Sequence, residues 1–370
     1  MFAFADYNFR KYDFILVLLT VGITVIGIQF IGSAKEDLMK SQTQGLILGV
    51  IAMLFISIIS YSFVLKFYWL IYILSVVLLV LVRVLGESSN NSARWFSIGG
   101  LRFQPSEVVK ILLILFYAQF IMKHRDSLNT FRIILCCVVL IVPPFYLIYD
   151  QPDLSTSIMV IVIFCVMMFI GGISYKLVLG AIIVAVPSVI VFLNMVLKEG
   201  QTLINEYQQK RILAWLQPEK YAATEAYQTM NGITAIGSGQ LIGKGLNNNV
   251  IASVKNGNFI SEAQTDFIFA VVGEETGFVG CITVLSLLFL IVLECILIAR
   301  KSKDLAGSII AGGMAGLIGF QTFINIGVVT AILPNTGLPL PFVSYGQTSL
   351  ISLFIGLGFV LNVRLQTPKY

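Results

Sequence analysis

The sequence predicts an all-α polytopic membrane protein, and both its composition and the spacing of its apolar runs lead to this fold class. Hydrophobic side chains make up 57% of the 370 residues, whereas only 12% are charged. A soluble domain carries roughly 25% charged residues, so this chain could not cover a water-facing surface of its size. The mean hydropathy of +0.91 agrees. A soluble enzyme is therefore excluded.

Apolar runs separated by polar breaks predict about ten transmembrane helices, because one helix needs roughly 20 apolar residues to span a bilayer. In chain order the predicted spans are residues 14–31, 45–64, 67–84, 105–122, 131–148, 155–170, 177–197, 278–299, 305–333 and 342–363. The five cysteines lie in apolar runs without CxxC spacing, which indicates core residues and neither a disulfide framework nor a zinc site.

The distribution of positive charge predicts that both termini are cytoplasmic. With the N-terminus inside, half of the 24 Lys and Arg residues fall in short inner segments, as positive-inside sorting requires. The basic residues form no stripe, so the net charge of +5 does not indicate a nucleic-acid partner. No small-residue cleavage site follows Arg10 and Lys11, and the first span is therefore interpreted as uncleaved.

The longest polar stretch, residues 198–277, separates the seventh and eighth spans. It is predicted to be one large extracytoplasmic loop within a single membrane domain of residues 1–370. Its six Lys/Arg and six Asp/Glu side chains favour a folded cap over a disordered tether. Length alone places a break at 273–277, with residues 266–272 at the outer membrane edge. Long ordered loops are usually functional.

Within this loop, Glu262 and Asp266 stand before an apolar run that begins at Phe267. Apolar surroundings disfavour the ionised form of a carboxyl group and raise its pKa toward the range of a general base, whereas a helix N-terminus acts in the opposite direction. Asp266 is thus a candidate catalytic base. The alternative is that it only caps a helix at the interface.

Glu107 and Lys110 follow Pro105 in the fourth span, and their spacing of three places them on one helix face. Lys110 would lie about 8 Å into the helix, where charges are costly and are usually either paired or functional. A structural ion pair and a functional pair are equally open. Arg94, with Trp95 beside it, adds a cation at the same membrane face.

A Gly-rich stretch, residues 235–245, contains Lys244. A Walker A loop is excluded because Ser238 and Gly245 stand where Gly and Ser/Thr are needed, and a dinucleotide fingerprint is excluded because its third Gly is replaced. What is left is a backbone able to direct N–H groups, with Lys244, at an anion such as a diphosphate. The alternative is a flexible turn.

Gln321 and Asn325 interrupt the ninth span, and a Pro-rich turn, residues 333–346, follows it. Polar side chains in a span can hold a bundle together, and prolines can simply end helices. These residues alone therefore indicate no chemistry.

Short motifs recur from the first span to the last. They are Arg94-Trp95, Gln104-Pro105-Ser106-Glu107, Gln151-Pro152-Asp153-Leu154, Tyr207-Gln208 with Arg211, Ala235-Ile236-Gly237-Ser238-Gly239, Thr265-Asp266-Phe267-Ile268-Phe269 with Gly273-Glu274-Glu275, and Pro339-Leu340-Pro341-Phe342 with Ser344-Tyr345-Gly346. In content and order they resemble the SEDS family (shape, elongation, division, sporulation), which includes RodA and FtsW. The Leu-Pro-Leu-Pro-Phe stretch is more similar to RodA.

The resemblance implies a ten-helix peptidoglycan glycosyltransferase of the bacterial cytoplasmic membrane, which polymerises lipid II at the outer face for cell elongation and shape. It also implies a class B penicillin-binding protein as partner, a divalent cation (Mg²⁺ or Mn²⁺) with unknown ligands as cofactor, and Asp266 as the catalytic carboxylate. Gln264 stands where the family often has His, so a titrating neighbour of Asp266 is absent at that position.

Joining two lipid-linked sugars requires a base for the acceptor hydroxyl and cations for the departing diphosphate. We expect Asp266 to be the base and Glu262 to orient it or to share a metal with it. The predicted substrate-binding residues are Arg94, Glu107, Lys110, Arg211, Lys244 and Glu262. Two other functions are open: a lipid II flippase lined by intramembrane charges, and a noncatalytic scaffold of a cell-wall complex. The concentration of polar residues on the outer side favours chemistry there.

Overall fold

The computed structural model describes residues 7–89, 92–98, 101–151, 153–197, 206–246, 259–260 and 262–367. These residues fold into α-helices and one small antiparallel sheet. The helices are α1 (Phe14–Ala34), α2 (Glu36–Ile58), α3 (Tyr61–Val64), α4 (Tyr68–Leu85), α5 (Pro105–Lys123), α6 (Phe131–Asp150), α7 (Leu154–Ile170), α8 (Tyr175–Val196), α9 (Glu206–Leu216), α10 (Tyr227–Ser238), α11 (Ile268–Arg300), α12 (Leu305–Val329) and α13 (Gln347–Leu365).

The predicted fold class, an all-α polytopic membrane protein, is confirmed. In the described part of the chain, nine helical segments are long and apolar enough to cross a bilayer, with α3 and α4 together forming one of them. The remaining predicted span corresponds to α7, an apolar helix that is shorter than the other nine. One boundary difference is at the start of α2, which begins at Glu36 because acidic residues favour the first turn of a helix.

The connection between α4 and α5 contains three short strands that the sequence analysis did not predict. They are β1 (Glu87–Ser89), β2 (Ser92–Ile98) and β3 (Leu101–Phe103), and they pair in the order β1-β2-β3. In the register, Glu87 lies opposite Trp95, and Phe96 lies opposite Phe103. Pairing of this kind satisfies backbone groups outside the helices. The strands hold Arg94 and Trp95 over one end of the bundle, which we call the sheet end.

The centre of the bundle is formed by α5, α12 and α13, the most buried of the nine apolar segments in the described chain. Small residues of α12 and α13 allow close packing. Gly313 and Gly316 of α12 face Ile114 of α5 and Val166 of α7, where an added Cβ would lie 3.1 and 2.9 Å from side-chain carbons. In contrast, α8 buries none of its apolar window against the described residues, which is the pattern of a helix that faces lipid.

The two ends of the described chain meet opposite the sheet end, where the backbone N–H of Asn8 donates to the carbonyl of Leu365 (2.9 Å). The predicted loop of residues 198–277 lies partly outside the described residues. Its described part contains α9 and α10, and its last residues belong to α11, which begins at Ile268. The predicted break is confirmed, because α11 bends at Gly277 (φ +63°, ψ −160°).

Candidate active site

A cavity of about 1440 Å³ opens at the sheet end of the bundle. Its wall includes β2, α9 and the turn between α12 and α13, residues 330–346. Five of the seven predicted site residues line it, namely Arg94, Glu107, Arg211, Glu262 and Asp266. The other two, Lys110 and Lys244, do not. Folding therefore brings residues from separate stretches of the chain to one site.

Asp266 is half-buried in the cavity wall. Its backbone carbonyl accepts a hydrogen bond from Nδ2 of Asn325 (2.8 Å). The same amide donates to the carbonyl of Leu338 in the facing turn (2.7 Å). One buried side chain of α12 thus fixes both the acidic residue and the turn opposite it. Asn325, one of the two polar residues that interrupt the ninth predicted span, therefore has a positioning role.

The surroundings of Asp266 raise the pKa of its carboxyl group, chiefly because burial removes water from the charged form. The Thr265 side chain and the positive charge of Arg211 oppose the rise, whereas the negative charges of Glu262 and Asp153 add to it. Burial is the largest contribution and makes the net pKa shift of Asp266 upward. The sequence alone left the direction of this shift open. A carboxylate with a raised pKa is a better proton acceptor near neutral pH.

Helix α9 lines the cavity with one face. Gln208, Arg211 and Trp215 recur at helical spacing, and all three line the cavity. Nη1 of Arg211 donates to the carbonyl of Asn335 (3.3 Å), and Nε1 of Trp215 donates to the carbonyl of Ala331 (3.1 Å). These two bonds attach α9 to the turn that follows α12, so that the guanidinium group is held in the cavity wall.

Gly337 lies between the carboxylate and the guanidinium group. A Cβ atom at this position would lie 3.1 Å from Oδ2 of Asp266 and 3.8 Å from Nη1 of Arg211. Its φ of +79° is also in the left-handed region, where L side chains are strained. Both the space and the backbone conformation therefore require glycine beside the candidate base.

The loop around Asp266 is anchored by the turn that contains the Ser-Tyr-Gly motif. The backbone N–H of Tyr345 donates to the carbonyl of Gln264 (2.9 Å). The Ser344 hydroxyl donates to the carbonyl of the residue before Asp266 (2.6 Å). The Gln264 amide in turn donates to Oε2 of Glu262 (2.9 Å), whose side chain is exposed to the cavity. Gln264 thus orients Glu262 and supplies no titrating group.

Glu107 and Lys110 form a buried ion pair, with 2.8 Å between Oε1 and Nζ and exposed fractions of 4% and 1%. Nζ of Lys110 also donates to Oε1 of Gln321 (3.2 Å), and Nε2 of Gln321 donates to the carbonyl of Pro339 (2.9 Å). Glu107 lines the cavity, whereas Lys110 lies deeper in α5 and reaches toward α12. The contacts of Lys110 therefore favour a positioning role over the predicted substrate contact, which stays untested.

Lys244 is the second predicted cation that lies away from the cavity. Its Nζ pairs with Oε1 of Glu274 (2.8 Å), and its backbone N–H donates to the carbonyl of the same residue (2.9 Å). The N–H of Gly245 donates to the carbonyl of Glu275 (2.9 Å). These N–H groups complete hydrogen bonds at the bend in α11, which favours a structural role, and the predicted diphosphate contact at Lys244 stays untested.

Arg94 lies on β2, where its Nε donates to the carbonyl of Gln151 (2.8 Å). Nearby, Asp153 caps α7 by accepting the backbone N–H of Thr156 (3.1 Å), and its other oxygen accepts from the Gln104 amide (3.4 Å). Asp153 lines the cavity and was not predicted as a site residue. Its place in the Gln-Pro-Asp-Leu motif, before an apolar run, was the available signal.

Several other cavity residues were also not predicted from the sequence. They are Lys35, Gln208, Asn335 and Thr336. Gln208 shares a motif with Arg211, and the next two follow a proline, but no local pattern distinguishes a cavity-lining amide from an ordinary loop residue. Lys35 stands in the polar break between α1 and α2 and resembles any other loop cation.

Among the described residues, no group of three or more His, Cys, Asp or Glu side chains could hold a metal ion. Mg²⁺ is commonly bound by one or two carboxylates together with substrate phosphates. Glu262 and Asp266 supply carboxylate oxygens to the same cavity. This donor set suits a divalent cation shared with a diphosphate substrate.

The fold and the site define a class of protein: a polytopic membrane protein with a carboxylate- and cation-lined cavity at one end of its helical bundle. The family model for FtsW, RodA and SpoVE, described as "Cell cycle protein", matches residues 11–369. The chain therefore belongs to this family, and the resemblance to SEDS proteins is confirmed.

Individual relatives agree with this assignment. The chain is 38% identical over 298 residues to the peptidoglycan glycosyltransferase MrdB of Escherichia coli K12, which covers 80% of this chain and 76% of the relative. Among solved structures, the rod shape determining protein RodA of Thermus thermophilus is 28% identical, with a TM-score of 0.70 over 97% of this chain and 98% of that one.

A second solved structure comes from a peptidoglycan synthase complex studied for the coordination of polymerization and crosslinking. Its matching chain is 29% identical, with a TM-score of 0.79, over 95% of this chain and 97% of that chain. The helical bundle is therefore shared along nearly the whole length.

Proposed function

We propose that this chain is a peptidoglycan glycosyltransferase that polymerises lipid II into glycan strands, with Asp266 as the general base. The activity accords with the family and with the glycosyltransferase relative. The observation that carries the assignment of the base is the half-buried Asp266 carboxyl group in the cavity wall, with its raised pKa and Arg211 beside it.

In the reaction, the Asp266 carboxylate takes the proton from a hydroxyl group of the acceptor sugar. The freed oxygen forms a bond to the anomeric carbon of the donor sugar, and the bond from that carbon to the diphosphate breaks. The diphosphate leaves with the bonding electron pair and with its lipid tail. General base catalysis of this kind typically contributes 10²–10⁴-fold to a rate, an order-of-magnitude range.

Positive charge must stabilise the departing diphosphate. Arg94 and Arg211 line the cavity on separate walls and are the proposed partners of the phosphate oxygens. Arginine suits this role because its planar guanidinium group binds phosphate through two hydrogen bonds. Lys35 adds a further cation at the cavity. Glu107 lines the cavity and pairs with Lys110, which lies deeper in α5. This buried ion pair keeps the cavity wall in place.

A divalent cation, Mg²⁺ or Mn²⁺, is part of the proposal. Glu262 would hold it together with the substrate's diphosphate, and the cation would supply charge to the leaving group. The exposed side chain of Glu262, fixed by the Gln264 amide at 2.9 Å, supports this assignment.

The lipid tails of both substrates need a route into the bilayer. Phe192 and Leu193 of α8 line the cavity, and α8 is the helix that buries none of its apolar window. The cavity therefore adjoins a lipid-facing helix. We place the cavity at the outer face of the bacterial cytoplasmic membrane, with both termini in the cytoplasm, because the short segments at the opposite end carry half of the basic residues.

The proposed partner is a class B penicillin-binding protein, whose crosslinking activity would act on the strands that this chain makes. The relative in a peptidoglycan synthase complex supports the proposal. Rod elongation is the favoured cellular setting, since MrdB and RodA are among the relatives.

The test is reconstitution of the purified chain with labelled lipid II and no other enzyme, with a parallel sample that contains the class B partner. We expect glycan chains in the partner-containing sample at least, and none from the Asp266→Asn variant. Translocation of lipid II across vesicles without chain growth would identify a flippase. If neither activity occurs, and Asp266→Asn supports a cell as well as the wild type does, the chain is a scaffold.

A further inference from the structure

Three neutral polar side chains line the cavity near Asp266 and have no role in the mechanism above. They are Gln208 on α9, and Asn335 and Thr336 in the turn after α12. We call them the amide patch. Each has a buried side-chain oxygen without a hydrogen-bond partner in the described part of the chain. Gln208 as a whole is only 5% exposed.

A buried oxygen without a partner destabilises a protein unless a ligand supplies a donor. The terminal torsion of Gln and Asn is broad, so a turn of the carboxamide presents either its oxygen or its NH₂ group to the cavity. The patch therefore offers a donor and an acceptor from each carboxamide, and a hydroxyl group that can be both. It carries no formal charge.

This chemistry matches the neutral part of a lipid-linked saccharide. Phosphate oxygens favour cations, which the arginine side chains supply. Sugar hydroxyl groups and an acetamido group need uncharged donors and acceptors. The N–H and C=O groups of a trans acetamido group point in opposite directions, so one carboxamide makes one hydrogen bond to it. The orientation of the carboxamide decides whether it donates or accepts that bond. A site built to bind a polar group in this way rejects an analogue that lacks it.

The position of the patch decides which sugar it binds. Thr336 directly precedes Gly337, where a Cβ would lie 3.1 Å from Oδ2 of Asp266. The carbonyl of Asn335 is held by Nη1 of Arg211 at 3.3 Å. A sugar on the patch therefore has ring hydroxyl groups close to the carboxylate. The sugar whose hydroxyl group gives up its proton to the base is the acceptor.

We propose that the amide patch binds the acceptor sugar of lipid II, with the carboxamide of Gln208 paired to its acetamido group. This inference rests on the proposed function, because only an enzyme that joins two sugars has an acceptor. Gln208 is accordingly a specificity-determining residue that touches substrate, and the patch orients the hydroxyl group toward Asp266.

The test uses the full chain with its class B partner, labelled lipid II as donor, and an acceptor-only analogue whose anomeric carbon is joined to the diphosphate through carbon. The analogue is made in two forms, with an acetamido group and with a free amine on its terminal sugar. Wild-type protein should prefer the acetylated form. Gln208→Leu should raise KM for the acetylated acceptor about 3- to 10-fold, the loss of one neutral hydrogen bond, with kcat within about twofold.

The preference for the acetylated acceptor should fall close to one in Gln208→Leu. The matched control is Lys210→Met on the same helix, since Lys210 pairs with the exposed Glu206 and does not line the cavity. It should keep both the wild-type KM and the wild-type preference. A merely structural role of Gln208 predicts the opposite result: kcat falls equally for both acceptors and the preference is unchanged, which would overturn the proposal.

Thr336→Val, which keeps the shape of the side chain and removes its hydroxyl group, provides an independent variant if Gln208→Leu does not fold. We expect a rise in KM for the acceptor of about 2- to 5-fold without a change in kcat. An unchanged KM would count against the patch. Failure of the proposed function is distinguishable, because the wild-type protein would then make no chains from lipid II at all.

Discussion

Two parts of the segment between α8 and the bend of α11 differ in what they contribute. The cavity part, α9 with residues 262–266, presents side chains to the cavity. The brace part, residues 227–246, contributes no residue to the cavity wall and bonds to α11 largely through its backbone. The cavity part carries five charged side chains, whereas Lys244 is the one charged side chain of the brace part. Both parts supplied a predicted site residue, so the comparison teaches that a charge in a polar stretch indicates chemistry only where the fold brings it to the cavity.

The same difference separates two Lys–Glu pairs of equal length. Lys110–Glu107 and Lys244–Glu274 both measure 2.8 Å between nitrogen and oxygen. The first has both side chains almost fully buried, and the second leaves its lysine 31% exposed. The two glutamates are equally buried, at 4% exposed, so the pairs differ in how far their lysines are removed from water and not in distance.

The largest expected effect is in the cavity part. Asp266→Asn removes the proposed base while it keeps the shape of the side chain, so polymerisation should fall by at least about 10²-fold. Thermal melting in detergent and co-purification with the partner should match the wild type. Polymerisation at a wild-type rate would reject Asp266 as the base.

The buried pair comes next. Lys110→Met leaves Glu107 without its cation and should destabilise the protein by about 3–5 kcal/mol, measured as a lowered melting temperature. The double variant with Glu107→Gln should recover most of this loss, since no buried charge is then left unpaired. A double variant as unstable as Lys110→Met would contradict this account.

Substitutions at the contact between the brace part and the bend of α11 should lower stability and should not change the chemistry. Gly277 has φ +63°, and a Cβ there would overlap the backbone nitrogen of Gly243. Gly277→Ala should therefore cost about 2–4 kcal/mol. Gly237→Ala is the matched control, since nothing lies within 4 Å of its added Cβ. If the control variant loses as much stability as Gly277→Ala, the close contact is not the cause.

The pH dependence separates burial from charge at Asp266. A base acts when ionised, and burial raises the pKa of Asp266 above its ordinary 3.8. The rate of polymerisation should therefore fall on the acid side at a pH above this value. In Glu262→Gln a negative charge that raises this pKa is removed, so the acid limb should move to lower pH. Initial rates between about pH 4 and 8 measure the acid limb of the wild type and that of the variant. An upward shift of the acid limb in Glu262→Gln would contradict the assignment.

The smallest effect on chemistry is expected at Lys244, because it lies away from the cavity. Lys244→Met removes the cation beside Glu274, which is only 4% exposed, and should cost about 1–3 kcal/mol of stability. Its polymerisation rate per folded molecule should stay within about twofold of the wild type. A large loss of rate at unchanged stability would return Lys244 to the site and remove the distinction between the two parts.

Much of the architecture could be predicted locally. Each predicted span has a helix at its place, and the break at Gly277 follows from the length of one apolar run. The strands of residues 87–103 were missed, because Ser, Asn and Gly dominate that stretch and their polar composition resembles a loop. Hydropathy does not report how two extended segments pair.

The site was less predictable than the fold. Asp266 was a candidate because a carboxylate before an apolar run is a local feature, and the resemblance to the SEDS family implied its catalytic role. Asn325 and Gln321 were left without a function, since a polar residue in a span has the same appearance whether it holds helices together or positions a base. Their bonds to the carbonyls of Asp266 and Pro339 exist only in the folded bundle.

The sequence by itself determined the membrane fold and the family and supplied Asp266 as the candidate base, because hydropathy and motifs are properties of neighbouring residues. The tertiary structure decided which cations reach the cavity. Arg94 and Arg211 line it, whereas Lys110 and Lys244 do not, and each lysine is paired with a glutamate. The physical reason is that a charge acts over a few ångströms in space, and packing of distant helices sets those distances.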